Sequence, residues 1–151
     1  MITIGIRVSP SAVTFAIYNS DSDEFVSVDE ICVPMAFDIP DSLKYVRSHL
    51  LDILREYRVQ RAGIRATEPS AKRMSITRVE IEGVIKESFA SSELESFYIG
   101  HASSIMSRLG LPRTDFRPLV DGDQDPSVDN WATMSKEARE AILCAKGALN
   151  A

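Results

Sequence analysis

The chain has 151 residues, of which 44% are hydrophobic and 26% are charged, and its formal net charge is −5. This composition predicts a folded domain and excludes both a disordered tail and a globally basic nucleic-acid binder. No apolar run reaches the ~18 residues of a membrane span, and the N-terminus lacks the pattern of a signal peptide. We therefore expect one domain over residues 1–151 with no membrane association.

The first third of the chain predicts three short strands. Apolar and polar residues alternate over residues 2–8, 13–17 and 25–33, which is the period of half-buried strands. Turn-forming residues separate the three runs, so we expect an antiparallel meander. A phase slip near residues 29–30 predicts a β-bulge in the third strand.

After residue 40 the apolar spacing changes to three and four residues, and helices are predicted to alternate with strands. The first predicted helix covers residues 43–57, is capped by Asp41 and leads into a parallel strand over 62–67. The next helix begins near Ser75 or Thr77 and is predicted to bury five apolar residues: Val79, Ile81, Val84, Ile85 and Phe89. A strand over 94–99, a helix over 103–109 that ends at Gly110, and a last helix that begins near Ser135 complete the chain. This order predicts an α/β protein with a mixed five-stranded sheet, three strands antiparallel and two parallel, with flanking helices.

Residues 111–131 show no periodic pattern and contain three Pro and five Asp. A loop of this length inside a compact domain is unusual, so we expect it to be mobile or functional. Its Asp121–Asp125 stretch has alternate acidic residues like a calcium loop. Pro126 and Ala132 then stand where such a loop needs Gly and Glu, which argues against calcium.

The cysteine and histidine content gives little support for metal or hydrolytic chemistry. Cys32 and Cys144 each lie in an apolar run, and we expect both to be small buried residues in a protein of the reducing cytoplasm. The two histidines, His49 and His101, complete no metal-ligand spacing and have no nearby carboxylate for a catalytic triad. We expect no cofactor.

The element order resembles the ribonuclease-H-like fold, in particular its RuvC-like Holliday-junction resolvase branch. The segment Ile4–Arg7 looks like the first-strand Ile/Leu-Gly-Ile-Asp segment of the resolvases, and Ala62–Arg65 looks like their fourth-strand segment, which ends in Glu. The segment Glu137–Ala145 looks like their last helix. The chain also resembles a family of short bacterial proteins in which an Ile-Arg pair ends the same strand, and that family brings no known activity with it.

At the positions that match the metal-binding carboxylates of the resolvases, this chain has Arg7, Arg65 and Arg139. The resemblance implies two magnesium ions held by carboxylates, whereas an arginine is cationic and has no lone pair for a metal. With the register shifted by one or two residues, Glu68, Glu137 and Glu140 lie near the expected places instead.

Two groups of basic residues could hold an anion. Three converging guanidinium groups of Arg7, Arg65 and Arg139 would suit phosphate, although each could equally pair with a nearby glutamate. Lys72 and Arg73, in a loop between a strand and a helix, could bind phosphate or form an ordinary solvated loop. The aromatic residues that could stack a base, Trp131, Tyr98 and Phe97, are more typical of a core.

These observations favour a non-enzymatic protein, a degenerate relative of the nucleases, that binds nucleic acid or another phosphate-bearing ligand through an arginine-lined site. One alternative is a divalent-metal nuclease that uses Glu68, Glu137 and Glu140. A second alternative is a protein-interaction scaffold. The sequence does not indicate an oligomeric state.

Overall fold

The computed structural model describes residues 1–151 as a five-stranded sheet between two layers of helices. The strands are β1 (Ile2–Val8), β2 (Ala12–Asn19), β3 (Glu24–Cys32), β4 (Arg61–Arg65) and β5 (Ser96–Gly100), and the helices are α1 (Ile39–Glu56), α2 (Ile76–Ala90), α3 (Ala102–Leu109), α4 (Phe116–Asp121) and α5 (Lys136–Gly147). The strand order is β3-β2-β1-β4-β5. Strands β1, β2 and β3 pair antiparallel, whereas β4 pairs parallel with β1 and β5 parallel with β4. The predicted mixed sheet is confirmed.

The alternation of side chains along β1 divides the protein into two cores. Ile4, Ile6 and Val8 point to one face and are fully buried with residues of α1 and α2, among them Val46, Leu50, Ile81 and Ile85. On the other face, α5 packs against β1, β2 and β4. That second core contains Ala16, Tyr98, Ile105, Trp131, Ala141 and Cys144. No helix has the length and the apolar character that a membrane crossing requires.

Helix α5 lies directly on the backbone of β1 because Gly5 has no side chain. A Cβ atom at Gly5 would lie 2.0 Å from the carbonyl oxygen of Ala141 and 2.2 Å from the amide nitrogen of Ala145. Next to it, the Thr3 hydroxyl donates a hydrogen bond to the Ala145 carbonyl at 2.7 Å. This contact fixes the position of α5 over the sheet.

Most helix ends lie where the sequence predicts them, and the cap of α1 is the exception. Two residues of α2 that were predicted to be buried are also more exposed than expected. Helix α1 is capped by Asp38, whose carboxylate accepts a hydrogen bond from the amide of Asp41, so the prediction of Asp41 as the cap was wrong by one turn. Ser75 caps α2, Gly110 ends α3 in the left-handed region at φ 68°, and Ser135 caps α5. In α2, Val79 is exposed, whereas Val84 is half-buried and packs against the edge of the core.

The prediction that residues 111–131 lack regular structure was wrong. This segment contains α4 between short 3-10 turns, and it buries Phe116, Leu119, Val120, Val128 and Trp131. The spacing of the first three is helical, but the many Pro and Asp residues obscured it. Pro118 is tolerated because it lies in the first turn of α4, where its amide is not needed.

Two predictions about β3 were also wrong. The irregularity in its pairing lies opposite Ile17 and Tyr18, which pair with Ser27 and Phe25, rather than near residues 29–30. Cys32 is exposed because β3 is an edge strand, whereas Cys144 is buried as expected.

Gly5→Ala should destabilise the protein by at least about 3 kcal/mol, because the new methyl group meets backbone atoms that cannot move aside. Gly83→Ala is the matched control, since a Cβ there has no neighbour within 4 Å and α2 should gain about 1 kcal/mol from the better helix former. Urea unfolding of both variants measures the two effects. Equal stabilities of the variants would contradict the close packing of α5 on β1.

Candidate anion-binding site

Arg7 and Arg65 lie side by side at the carboxyl ends of β1 and β4. They are direct partners in the parallel register of these strands, so their side chains point to the same face of the sheet. The Arg7 guanidinium donates a hydrogen bond to the Arg65 carbonyl at 3.1 Å. Their side chains are only 13% and 9% exposed, respectively. The sheet therefore brings two buried cations together.

Each of these arginines has one carboxylate partner. Arg7 Nε lies 2.5 Å from Oε2 of Glu140, which α5 supplies. Arg65 Nη1 lies 3.3 Å from Oε1 of Glu68 and donates to the Ala66 carbonyl at 2.5 Å. Burial lowers the pKa of Arg65, an effect that Glu140 opposes and Arg7 increases. The Nε of Arg65 is buried without any hydrogen-bond partner.

The loop after β4 is anchored by two glutamates. The Glu82 carboxylate, buried in α2, accepts hydrogen bonds from the Thr67 amide at 3.0 Å and from the Thr67 hydroxyl at 2.6 Å. Glu68 accepts from the amide of Ala102 at the start of α3 at 3.1 Å, and it lies 3.5 Å from Nδ1 of His101. Glu68 therefore has a structural role at the end of α3 as well as a cation partner.

A cavity of about 470 Å³ opens above Arg7 and Arg65, between the loop after β4, α4 and the first turns of α2 and α5. We call it the arginine cavity. Its basic residues are Arg7, Arg65, Arg78, Arg113, Arg117 and Lys136. Its acidic residues are Glu68, Asp121 and Glu140. The cavity is therefore locally cationic although the whole chain carries a net charge of −5.

Half of the basic residues of the arginine cavity are not committed to a carboxylate. Lys136 pairs with Asp121 at 3.0 Å, and Arg7 and Arg65 pair as described. Arg78, Arg113 and Arg117 make no ion pair. Arg113 and Arg117 are exposed at the rim, and Arg78 is half-buried on the wall. These three guanidinium groups are available to an anionic ligand.

Arg139 does not reach the arginine cavity, in contrast to the convergence that the sequence suggested. Its buried guanidinium donates hydrogen bonds to the carbonyls of Trp131, Val120 and Ala132, each at 2.9 Å. These bonds tie the start of α5 to the end of α4 and to the 3-10 turn at Trp131–Thr133. Arg139 thus stabilises the fold through backbone carbonyls, which neither the anion-site nor the ion-pair interpretation predicted.

The other predicted site residues are only partly brought together. Lys72 and Arg73 are exposed and do not line the arginine cavity, although Ser70 and Ala71 of the same loop do. Glu68 and Glu140 line the cavity, whereas Glu137 does not. No group of three His, Cys, Asp or Glu side chains is arranged to hold a metal ion.

Of the aromatic candidates, two belong to the core. Trp131 is 1% exposed and donates from Nε1 to the Leu119 carbonyl, and Tyr98 is 5% exposed and donates to the Cys144 carbonyl. Phe97 is 42% exposed on the edge strand β5, away from the arginine cavity.

The sequence analysis missed Arg78, Arg113, Arg117 and Lys136. Arg113 and Arg117 are four residues apart, which is the spacing of neighbours on a helix, but the segment was interpreted as a loop. Arg78 and Lys136 lie in the first turn of α2 and at the first position of α5, where only the tertiary arrangement directs them towards β1 and β4.

No protein-family model and no curated protein matches this sequence. Among solved structures, the chain has the fold of Holliday-junction resolvases of the ribonuclease-H-like class. It is similar to Thermus thermophilus RuvC in complex with Holliday junction substrate, with a TM-score of 0.71, 9% identity, and coverage of 97% of this chain and 92% of that chain. A second structure of T. thermophilus RuvC gives a TM-score of 0.70 with the same identity and coverage. This similarity confirms the expected fold.

Glu140 should make stability depend on pH. Burial raises the pKa of its carboxyl group, against the opposing effects of Arg7 and Arg65. The folded protein then retains a proton that the unfolded chain releases above about pH 4.3. The free energy of unfolding should therefore fall as the pH rises from that value through the raised pKa of Glu140.

Glu140→Gln should lose this part of the pH dependence, while Glu93→Gln, which replaces an exposed glutamate that makes no ion pair, should keep it. Urea unfolding between pH 4 and 8 measures the difference. Identical pH profiles for the two variants would show that Glu140 does not titrate in this range.

Proposed function

We propose that the protein is a non-catalytic, ribonuclease-H-like protein that binds a phosphate-bearing partner, nucleic acid in the first instance, through the arginine cavity. The observation that carries this proposal is the charge of the cavity. Six basic side chains meet three carboxylates there, and Arg78, Arg113 and Arg117 have no ion-pair partner. A guanidinium group donates paired hydrogen bonds to two phosphate oxygens, which makes arginine well suited to this ligand.

The position of the cavity supports nucleic acid as the partner. It lies at the carboxyl ends of two adjacent parallel strands, a common place for ligand sites in α/β sheets. T. thermophilus RuvC, which shares the fold, is known in complex with a Holliday junction substrate. Because the chain is acidic overall, binding should be weak and should depend on the local cationic surface.

The magnesium ions that the resolvase resemblance implies do not fit the residues of the arginine cavity. Arg7 and Arg65 stand where the resemblance places carboxylates, and arginine cannot ligate a cation. The two glutamates of the cavity are already engaged, Glu140 by Arg7 and Glu68 by Arg65 and the start of α3. We therefore assign no metal-dependent step to this site.

Two alternatives follow from other features. A divalent-metal nuclease would need Glu68, Glu137 and Glu140 to share one site, and Glu137 lies outside the arginine cavity. A protein-interaction scaffold would bind through other surfaces and would not need the cavity. Nucleic-acid binding and cleavage assays separate the three functions.

Arg117→Ala should weaken nucleic-acid binding several-fold and reduce the salt dependence by about one phosphate contact. Arg55 is exposed in the last turn of α1, at the opposite end of the sheet from the cavity. Arg55→Ala removes the same charge and should have little effect on the affinity for nucleic acid. Fluorescence anisotropy with a short oligonucleotide at several salt concentrations measures both. The dissociation constant of the unmodified protein should be on the order of 10⁻⁴ to 10⁻⁶ M.

Equal losses in the two variants would indicate diffuse charge instead of a site. Absence of binding by the unmodified protein at low salt would remove nucleic acid as the partner and favour the scaffold function.

The protein should not cleave branched DNA or an RNA–DNA hybrid in the presence of magnesium or manganese, because arginines occupy the expected ligand positions. Gel electrophoresis of labelled substrates tests this. Cleavage that is abolished by Glu68→Gln and retained by Glu95→Gln, a surface glutamate distant from the cavity, would support the nuclease instead.

A further inference from the structure

We propose that the free edge of β3 binds an extended, basic segment of a partner protein, which adds to the sheet as a further strand. This edge is separated from β1 and β4 by β2, so the proposal concerns a different surface from the arginine cavity and does not depend on nucleic-acid binding. It is based on the unpaired backbone of the edge strand, on a cavity beside it and on the charges of both.

One edge of β3 has no backbone partner. The strand lies at the end of the sheet and pairs only with β2. The Val33 amide donates to the Ser11 carbonyl at 2.9 Å, which fixes the alternation of the antiparallel ladder. Odd-numbered residues from 27 to 31 therefore bond to β2, whereas Val28, Glu30 and Cys32 direct their amides and carbonyls away from the sheet.

The surface of this edge is suited to pairing with another chain. The outward amide of Glu30 has only the Asp29 side chain as its acceptor, at 2.8 Å, where the carbonyl of an added strand would bond. Val26 and Val28 are 53% and 37% exposed. The strand contains neither Pro nor Lys, which commonly prevent pairing at sheet edges. Its irregular pairing is confined to its first residues, so residues 27–32 form a regular edge.

A cavity of about 430 Å³ lies beside β3, on the face of the sheet that α5 covers. Its lining includes apolar surface from Phe25, Val28 and Met134 and the carboxylates of Glu24 and Asp129. A side chain opposite Val28 on an added strand points to this same face. Lysine and arginine have an aliphatic stem and a cationic head, so they match a lining of apolar groups and carboxylates.

The charge of the edge identifies the added segment as basic. Carboxylates of β3 and of the cavity make no ion pair: Glu24, Asp29, Glu30 and Asp129. Lys146, the single basic residue that lines the cavity, lies 4.0 Å from Asp23. The β3 strand of a second copy would place like charges opposite each other, which is destabilising, and nucleic-acid phosphates would be repelled too. A basic segment gains ion pairs in addition to the backbone hydrogen bonds of strand addition.

The test uses a labelled peptide of about eight residues in which lysine alternates with valine. A peptide with proline in place of each valine has the same charge but cannot pair as a strand, so it controls for attraction by charge alone. The lysine–valine peptide should bind the full chain at least about tenfold more tightly than the lysine–proline peptide, measured by fluorescence anisotropy. Equal affinities of the two peptides would overturn the proposal.

Amide hydrogen exchange shows where the peptide binds. The lysine–valine peptide should slow exchange of the outward amides of Val28 and Cys32, whereas those of Asp29 and Ile31, already bonded to β2, should change little. Binding without protection of Val28 and Cys32 would overturn strand addition. Protection of both amides in the free protein that increases with protein concentration would identify a second copy as the occupant and would overturn the basic partner.

Substitutions in β3 separate the contribution of the backbone from that of charge. Val28→Pro removes an outward amide and leaves the bonds to β2 in place, so it should abolish the preference for the lysine–valine peptide in protein that circular dichroism shows to be folded. Glu30→Gln should weaken binding of this peptide several-fold. Glu93→Gln removes the same charge from an exposed residue before β5, at the other edge of the sheet, and should have little effect. Equal losses in the two glutamine variants would indicate diffuse charge and would overturn the proposed site.

Discussion

The packing of α5 on β1 is the constraint on which the rest of the structure depends. Gly5 allows the backbone of α5 to contact the strand, and the Thr3 hydroxyl fixes the helix through the Ala145 carbonyl. Because the helix lies so close, Glu140 on its first turns reaches Arg7 at the end of the same strand. The packing of α5 on β1 therefore stabilises the fold and also positions the Arg7–Glu140 ion pair of the candidate site.

The cavity combines buried and exposed arginines, and the two kinds differ in what stabilises them. Arg7 and Arg65 are held by glutamates and by backbone carbonyls, which offsets the cost of removing two cations from water. Arg113 and Arg117 stay hydrated at the rim and need no such compensation. The exposed arginines are therefore the ones that a ligand can contact directly, whereas Arg7 and Arg65 are engaged by the protein.

The sequence predicted the sheet because its signals are local: alternation in β1 and β2, and helical spacing in α1 and α5. It predicted the position of Arg7 and Arg65 because the ends of parallel strands meet at one edge of a sheet. It could not predict the orientation of Arg139, since the three carbonyls that accept its hydrogen bonds are positioned by α4 and its flanking turns. The rim arginines were missed because the 3-10 turn that carries Arg113 and the helix α4 that carries Arg117 have a loop-like composition.

The hydrogen bonds of Arg139 have a consequence for binding thermodynamics. They connect α5 to the segment that carries the rim arginines, so that segment is already ordered before any ligand arrives, and little conformational entropy remains to be lost on binding. By linkage, a ligand bound through Arg117 would stabilise α4 against local opening. Slower hydrogen exchange of the α4 backbone amides would then show that a ligand occupies the cavity, without any label on the ligand.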